Sequence, residues 1–225
     1  MTSSAAPVVG TPLFDVTFAV IDLETTGTAP GQSRIIEVGA AKYRRGECLG
    51  TFQTLVDPEC GVPLFITALT GISEALVGLA PPIEAVLPAL MEFLGDAVLV
   101  GHNLRFDTSF LDAALVASGR PRMTQARVDT LALARRLVDV GDETPNLRLS
   151  SLASLFRTAT RPTHRALDDT LATAEVFHGL LERAGSLEVL TLDDLLRLEA
   201  SPPADRPRIP VIGGMLRRWR RSRGH

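Results

Sequence analysis

The tightest constraint on how this chain folds is the stretch from Thr17 to Leu23. There β-branched and apolar residues are dense, and turn residues follow from Thr25 to Ser33. A short apolar run bounded by turn signals marks a buried strand. Two more strand patterns come directly after it. Across Arg34 to Tyr43, Ile36, Val38 and Ala40 alternate with Glu37, Gly39 and Ala41. Leu49 to Val56 supplies a third run, joined by a hairpin through Arg45 to Glu47. Three consecutive strands with short connections predict an antiparallel meander.

After Asp57-Pro58 the pattern becomes helical. Leu64 to Thr70 reads as a short helix closed by Gly71, and Ile83 to Leu94 carries Ile83, Val86, Leu87, Leu90 and Leu94 on one face before Gly95. Ala97 to Val100 is a short buried strand. Helices are expected over Leu104 to Ser118, Thr130 to Val138, Ser151 to Phe156, Arg165 to Ala184 and Leu192 to Glu199. A meander followed by helices and short strands predicts a mixed sheet with helices packed on it, in the α/β or α+β class. The chain divides into a flexible leader (1–13), a main domain (14–184), a C-terminal helical extension (185–200) and a Pro/Arg-rich basic tail (201–225).

Composition narrows the function. With 225 residues, 45% of them hydrophobic and 22% charged, one domain can bury a large core without disulfides. The net charge of −3 excludes a polybasic binder that holds nucleic acid by phosphate neutralisation alone. That average hides two parts: Pro202 to His225 holds seven arginines against Asp205, a net +6, which leaves −9 on the rest. The tail, with Trp219 among its arginines, is either a solvated terminus or an element that docks a partner or nucleic acid. Cys48 and Cys60 are too few for a disulfide framework and suit a reducing, cytoplasmic setting. No apolar run reaches the roughly 18–20 residues needed to span a bilayer, and no basic residue precedes an apolar stretch at the N-terminus. Neither a membrane partner nor a secretory signal is expected.

Three clusters could carry chemistry. Asp22 and Glu24 lie two apart at a strand end, so both carboxylates project from one face; taken alone, they are equally a solvated strand end. In Gly101-His102-Asn103-Leu104-Arg105-Phe106-Asp107, Asn103 and Asp107 sit four apart at the start of a helix. Asn103 could cap that helix and Asp107 favour its dipole. In the third cluster, five residues separate His164 from Asp169, about 140° away from a shared helical face. The two can converge only if His164 lies in the loop before the helix, which Pro162 permits. Four carboxylates and a histidine, without clustered Cys, favour Mg²⁺ or Mn²⁺ over structural zinc. Two such ions, about 3.5–4 Å apart, form a clamp for in-line displacement at phosphorus. A histidine, titrating near about 6.5 when free, can take a proton from the attacking water.

Asp22-Leu-Glu24-Thr-Thr-Gly27, His102-Asn103-x-x-Phe106-Asp107 and His164-x4-Asp169 resemble the three motifs of the DEDDh-type, DnaQ-like 3′–5′ exonucleases. This superfamily includes the proofreading epsilon subunits of DNA polymerase III, ribonuclease T and oligoribonuclease. The motifs stand in order, about 80 and 60 residues apart, and the resemblance spans Phe18 to Leu181. Leu69-Thr70-Gly71-Ile72 and Val128-Asp129-Thr130 also fit. The resemblance implies a ribonuclease-H-like mixed five-stranded sheet of order 3-2-1-4-5, its first three strands antiparallel, flanked by helices. It implies Asp22, Glu24, Asp107 and Asp169 as ligands of two divalent cations, Mg²⁺ or Mn²⁺, with His164 as general base and Asp168 dispensable. It implies contacts to the terminal nucleotide from Leu23, Thr25 and Thr26, with Thr70 and Asn103 lining the same pocket. The implied reaction removes nucleoside 5′-monophosphates from a single-stranded or frayed 3′ end of DNA, in proofreading or repair and beside a DNA polymerase subunit. RNA 3′-end trimming, or an inactive polymerase-associated module, are the alternatives.

Overall fold

A computed structural model describes residues 10–202. The first nine residues of the expected leader lie outside the described residues, as does the tail from Pro203 with its seven arginines and Trp219. Three strands come first: β1 (Phe18–Thr25), β2 (Ile35–Arg44) and β3 (Glu47–Leu55). They are followed by α1 (Leu64–Thr70), α2 (Glu74–Val77), α3 (Ile83–Leu94), β4 (Val98–Gly101), α4 (Arg105–Ala117), β5 (Arg127–Asp129) and α5 (Thr130–Leu137). Helices α6 (Leu149–Phe156), α7 (Ala166–Gly185) and α8 (Leu192–Ala200) complete the chain. The strands form one sheet in the order β3-β2-β1-β4-β5. β2 pairs antiparallel with both β1 and β3, while β4 pairs parallel with β1 and β5. This is the mixed sheet that the meander and the later helices imply.

Local chemistry accounts for the elements. The β2–β3 hairpin turns on Arg45 and Gly46, both at positive φ (57° and 78°), the backbone twist a tight hairpin needs. Gly71, at φ 72°, ends α1 in the left-handed conformation that a glycine adopts without a side-chain clash. β1 is buried on both faces because each face has its own layer. Ala19, Ile21 and Leu23 join a core with Val86, Leu87, Leu90 and Leu94 of α3 and Phe110 and Leu111 of α4. Phe18 and Val20 join a second core with Val176, Phe177 and Leu180 of α7, where the Phe18 and Phe177 rings meet edge to face at 5.0 Å. Asp22 and Glu24 continue this second row, so β1 presents them on the side that α7 covers.

The structure differs from the sequence reading in places. Asn103 does not cap a helix: it stands in a turn at φ 67°, and α4 begins at Arg105 with no side-chain cap. Its backbone amide instead donates to Asp129 Oδ1 at 2.9 Å. Strand β5 and the one-turn helix α2 are too short to leave a periodicity; β5 exists through its pairing with β4. Thr11 to Leu13 lie against the start of α8, with the Leu192 amide donating to the Thr11 carbonyl at 3.0 Å and the Leu13 amide to the Leu190 carbonyl at 2.9 Å. Leu192 and Leu195 of α8 are buried in the second core, where α8 packs on α5 and β5. Among the described residues no helix is long and apolar enough to cross a membrane.

Candidate active site

Three short segments converge at the end of β1. The first is β1 itself, which ends at Asp22, Leu23 and Glu24. A register shift against β2 falls between Glu24 and Thr25, so the chain leaves the sheet just past the acidic pair. Thr25 Oγ1 donates to the Gly27 carbonyl at 2.6 Å. The Thr26 amide donates to the Arg34 carbonyl at 2.8 Å, and the Arg34 amide returns a bond to Thr26 Oγ1 at 2.9 Å. These bonds close the 26–34 loop and fix the threonines beside the acids.

The second segment is the first turn of α4. Asp107 is 4% exposed there, and its Oδ1 accepts the Leu23 amide at 3.0 Å. That bond stitches α4 to β1 between Asp22 and Glu24. The third segment is the loop entering α7. His164 lies in that loop at φ 59°, and Asp169 sits buried in the first turn of the helix. Asp169 Oδ1 accepts the amides of Thr163 at 2.8 Å and His164 at 3.3 Å, so the helix holds its own entry loop. One ligand atom from each of Glu24, His164 and Asp169 lies within 4.8 Å of the others. Asp168 takes a different path, accepting from Thr163 Oγ1 at 2.7 Å.

Thr70 and Asn103, also expected at the site, each have defined hydrogen-bond partners. Thr70 is buried, its hydroxyl donating to the Ile66 carbonyl at 2.9 Å and accepting the Ile72 amide at 3.0 Å. Asn103 is exposed and tied to Asp129. Neither of these bonds reaches the acidic cluster.

The electrostatics are those of an uncompensated anionic pocket. Burial, and then the charges of Asp107, Asp169, Glu24 and Glu37, hold the Asp22 carboxyl well above the usual carboxylate range. Burial, then Asp169 and Glu37, push Glu24 up from 4.5 to about 7, with Arg165 opposing. Burial raises Asp107 from 3.8 to about 8 although the Leu23 amide works against it. Asp169 is raised as well, burial outweighing the two amides and His164. Carboxylates that repel one another in a low-dielectric pocket need a cation. Hard oxygen donors with one imidazole fit Mg²⁺ or Mn²⁺.

One further acidic residue belongs to this arrangement, and its place in an alternating pattern concealed it. Glu37, on β2, is the Cα partner of Glu24 and fully buried. Its signal in the sequence is a charge sharing a strand face with Gly39 and Ala41, residues small enough to let a helix approach.

Comparison with known proteins places this geometry. The family model described as Exonuclease, of the RNase_T type, matches residues 19–177. A Mycobacterium tuberculosis protein named as a candidate bifunctional exonuclease/endonuclease is 47% identical over 189 residues, covering 81% of this chain and 29% of that protein. A PolC-type DNA polymerase III of Caldanaerobacter subterraneus is 37% identical over 194 residues, covering 86% of this chain and 14% of that one. The chain thus spans less than a third of either relative's length. Among solved structures, Exonuclease X in complex with 5′ overhanging duplex DNA superposes with a TM-score of 0.63 at 25% identity, covering 81% of this chain and 99% of that one. The sheet order agrees with the match over most of the chain: the protein belongs to the exonuclease family, DnaQ-like nucleases of ribonuclease-H-like fold.

Proposed function

We propose that the protein is a metal-dependent 3′–5′ exonuclease that hydrolyses the terminal phosphodiester of DNA and releases nucleoside 5′-monophosphates. The observation that carries this reading is the convergence of Asp22, Glu24, Asp107 and Asp169 at one sheet end, with ligand atoms of Glu24, His164 and Asp169 within 4.8 Å of one another. Asp22, Glu24, Asp107 and Asp169 would hold two Mg²⁺ or Mn²⁺ ions, which when bound supply Lewis-acid stabilisation of charge at phosphorus.

The chain's own residues do the rest. His164, exposed on its loop, takes the proton of the attacking water at an imidazole nitrogen. Leu23, Thr25 and Thr26 present backbone and side chain to the terminal nucleotide from the rigid end of β1, and Thr70 and Asn103 border the pocket. Unpaired 3′ ends are preferred, because drawing the last nucleotide out of a duplex costs about a few kcal/mol. The 5′-overhanging DNA bound by Exonuclease X and the DNA polymerase among the relatives support a DNA substrate and work beside a polymerase subunit. Two free, exposed cysteines suit action in the cytoplasm.

The test is a side-by-side digestion of single-stranded DNA, a duplex with a mismatched 3′ end, and RNA of the same sequence. Faster loss of the single strand and the mismatched end than of RNA is expected. RNA degraded faster than DNA would overturn the substrate assignment.

A further inference from the structure

Glu24 and Glu37 face each other across the β1–β2 ladder, yet their surroundings are opposite. Among the described residues the Glu24 carboxylate accepts no hydrogen bond, whereas the Glu37 carboxylate accepts four. Oε1 of Glu37 accepts from Gln53 Nε2 at 3.0 Å and Arg165 Nη2 at 2.8 Å. Oε2 accepts from Arg165 Nε at 3.1 Å and the Ala166 amide at 2.9 Å. A carboxylate offers about four acceptor sites, so Glu37 is saturated and has none left for a cation. Its whole capacity is spent on the junction between the His164 loop and α7.

That junction needs an external hold. α7 starts at Ala166, and Arg165, its N-cap, gives no side-chain cap, so a carboxylate 129 residues upstream accepts the first helical amide. His164 just before it adopts a positive φ of 59°, which a non-glycine residue keeps only where its surroundings enforce it. Asp169 pins the loop on one side, through the amides of Thr163 and His164, and Glu37 pins it on the other. Gly39 makes the second pin possible, since a Cβ there would fall 2.6 Å from the Leu167 amide nitrogen. The bidentate Arg–carboxylate fork adds direction as well as attraction.

We propose that Glu37 and Arg165 form a positioning pair that locks the 164–166 backbone and thereby aims His164 at the acidic cluster, a role that rests on His164 being the proton acceptor. The pair is assigned no contact with the reacting atoms; it acts through His164. Misplacement of a catalytic group by about 1 Å can cost about 100-fold. The full-length Glu37→Gln enzyme is therefore expected to lose about 10- to 100-fold in kcat on 3′-labelled single-stranded DNA, with KM within about threefold. Arg165→Ala moves the same way. In a His164→Ala background neither substitution lowers kcat further, a non-additivity that a general loss of stability would not produce.

A second readout needs no turnover. In the metal-free protein, amide exchange at His164 to Ala166 quickens by about tenfold or more in Glu37→Gln while the β1 amides keep their protection. Where Glu37→Gln does not fold, Arg165→Ala, whose side chain is 40% exposed, runs the same cycle. Wild-type kcat in Glu37→Gln, a loss carried by KM, an equal fold-loss in the His164→Ala background, or unchanged exchange would each overturn the pair. Wild-type kcat in His164→Ala alone would instead overturn the reading of His164, and the pair with it.

Discussion

Removing one charge from the acidic cluster should stabilise the metal-free protein. Glu24→Gln keeps the shape of the side chain and removes only its charge. A carboxyl raised from 4.5 to about 7 on folding carries about 3 kcal/mol of unfavourable energy once ionised, at about 1.4 kcal/mol per pH unit. Glu24 is partly exposed, and solvent screening reduces this to about 1–2 kcal/mol. The sign follows from proton binding. Between 4.5 and about 7 the folded state holds this proton more tightly than the unfolded state, so stability falls as pH rises through that window. Above it the cost is fully present, and near pH 4.5 it is absent. In EDTA at pH 8, Glu24→Gln should melt roughly 2–8 °C above wild type, given about 2–4 °C per kcal/mol for a chain of this size. The gap should close towards pH 4.5, and saturating Mg²⁺ should reverse the order, because the wild type gains more by binding. Scanning calorimetry at three pH values, with and without Mg²⁺, measures all of this. A variant that melts below wild type in EDTA at pH 8, or by the same margin at every pH, would refute the reasoning.

Other expectations concern single positions. Asp169→Asn should lower kcat by about 100-fold or more, while Asp168→Asn keeps most activity, because only Asp169 joins Glu24 and His164; equal losses in steady-state assays would contradict this. Gly39→Ala forces a methyl group into the backbone of Ala166 and Leu167 and should cost about 1–3 kcal/mol or more in urea unfolding, with kcat falling as the first turn of α7 shifts. Thr191→Ala removes the capping box of α8, in which the Asp194 amide donates to Thr191 Oγ1 at 3.2 Å and Asp194 Oδ2 accepts the Thr191 amide at 3.1 Å. It should cost about 1 kcal/mol of stability and leave kcat unchanged.

Much of the fold was legible wherever the signal is local. α1 and α3 run over Leu64–Thr70 and Ile83–Leu94 as their apolar periods and closing glycines predict. The acids of β1 and the His164–Asp169 spacing also announce themselves, because a strand fixes two-residue alternation and Pro162 permits a loop before the helix. What escaped depends on partners far along the chain. Glu37 sits in an alternating strand pattern that does not mark it as buried, but α7 covers that face, and the Arg165 it binds is 128 residues away. Asn103 reads as a cap from its place before a helix; Asp129, 26 residues on, draws its amide into a left-handed turn instead. β5 spans three residues and is defined by its neighbour β4 rather than by its own pattern.

The central claim is that the cluster at the end of β1 holds divalent cations that drive removal of nucleotides from a 3′ end. The most direct measurement follows a single-stranded DNA labelled at the 3′ terminus, digested by the full chain while Mg²⁺ or Mn²⁺ is titrated against EDTA. The account predicts that labelled mononucleotide is the first product, that the rate follows free cation, and that Asp22→Ala abolishes it. Robust release in excess EDTA, undiminished release by Asp22→Ala, or shortening that starts from the 5′ end would contradict it.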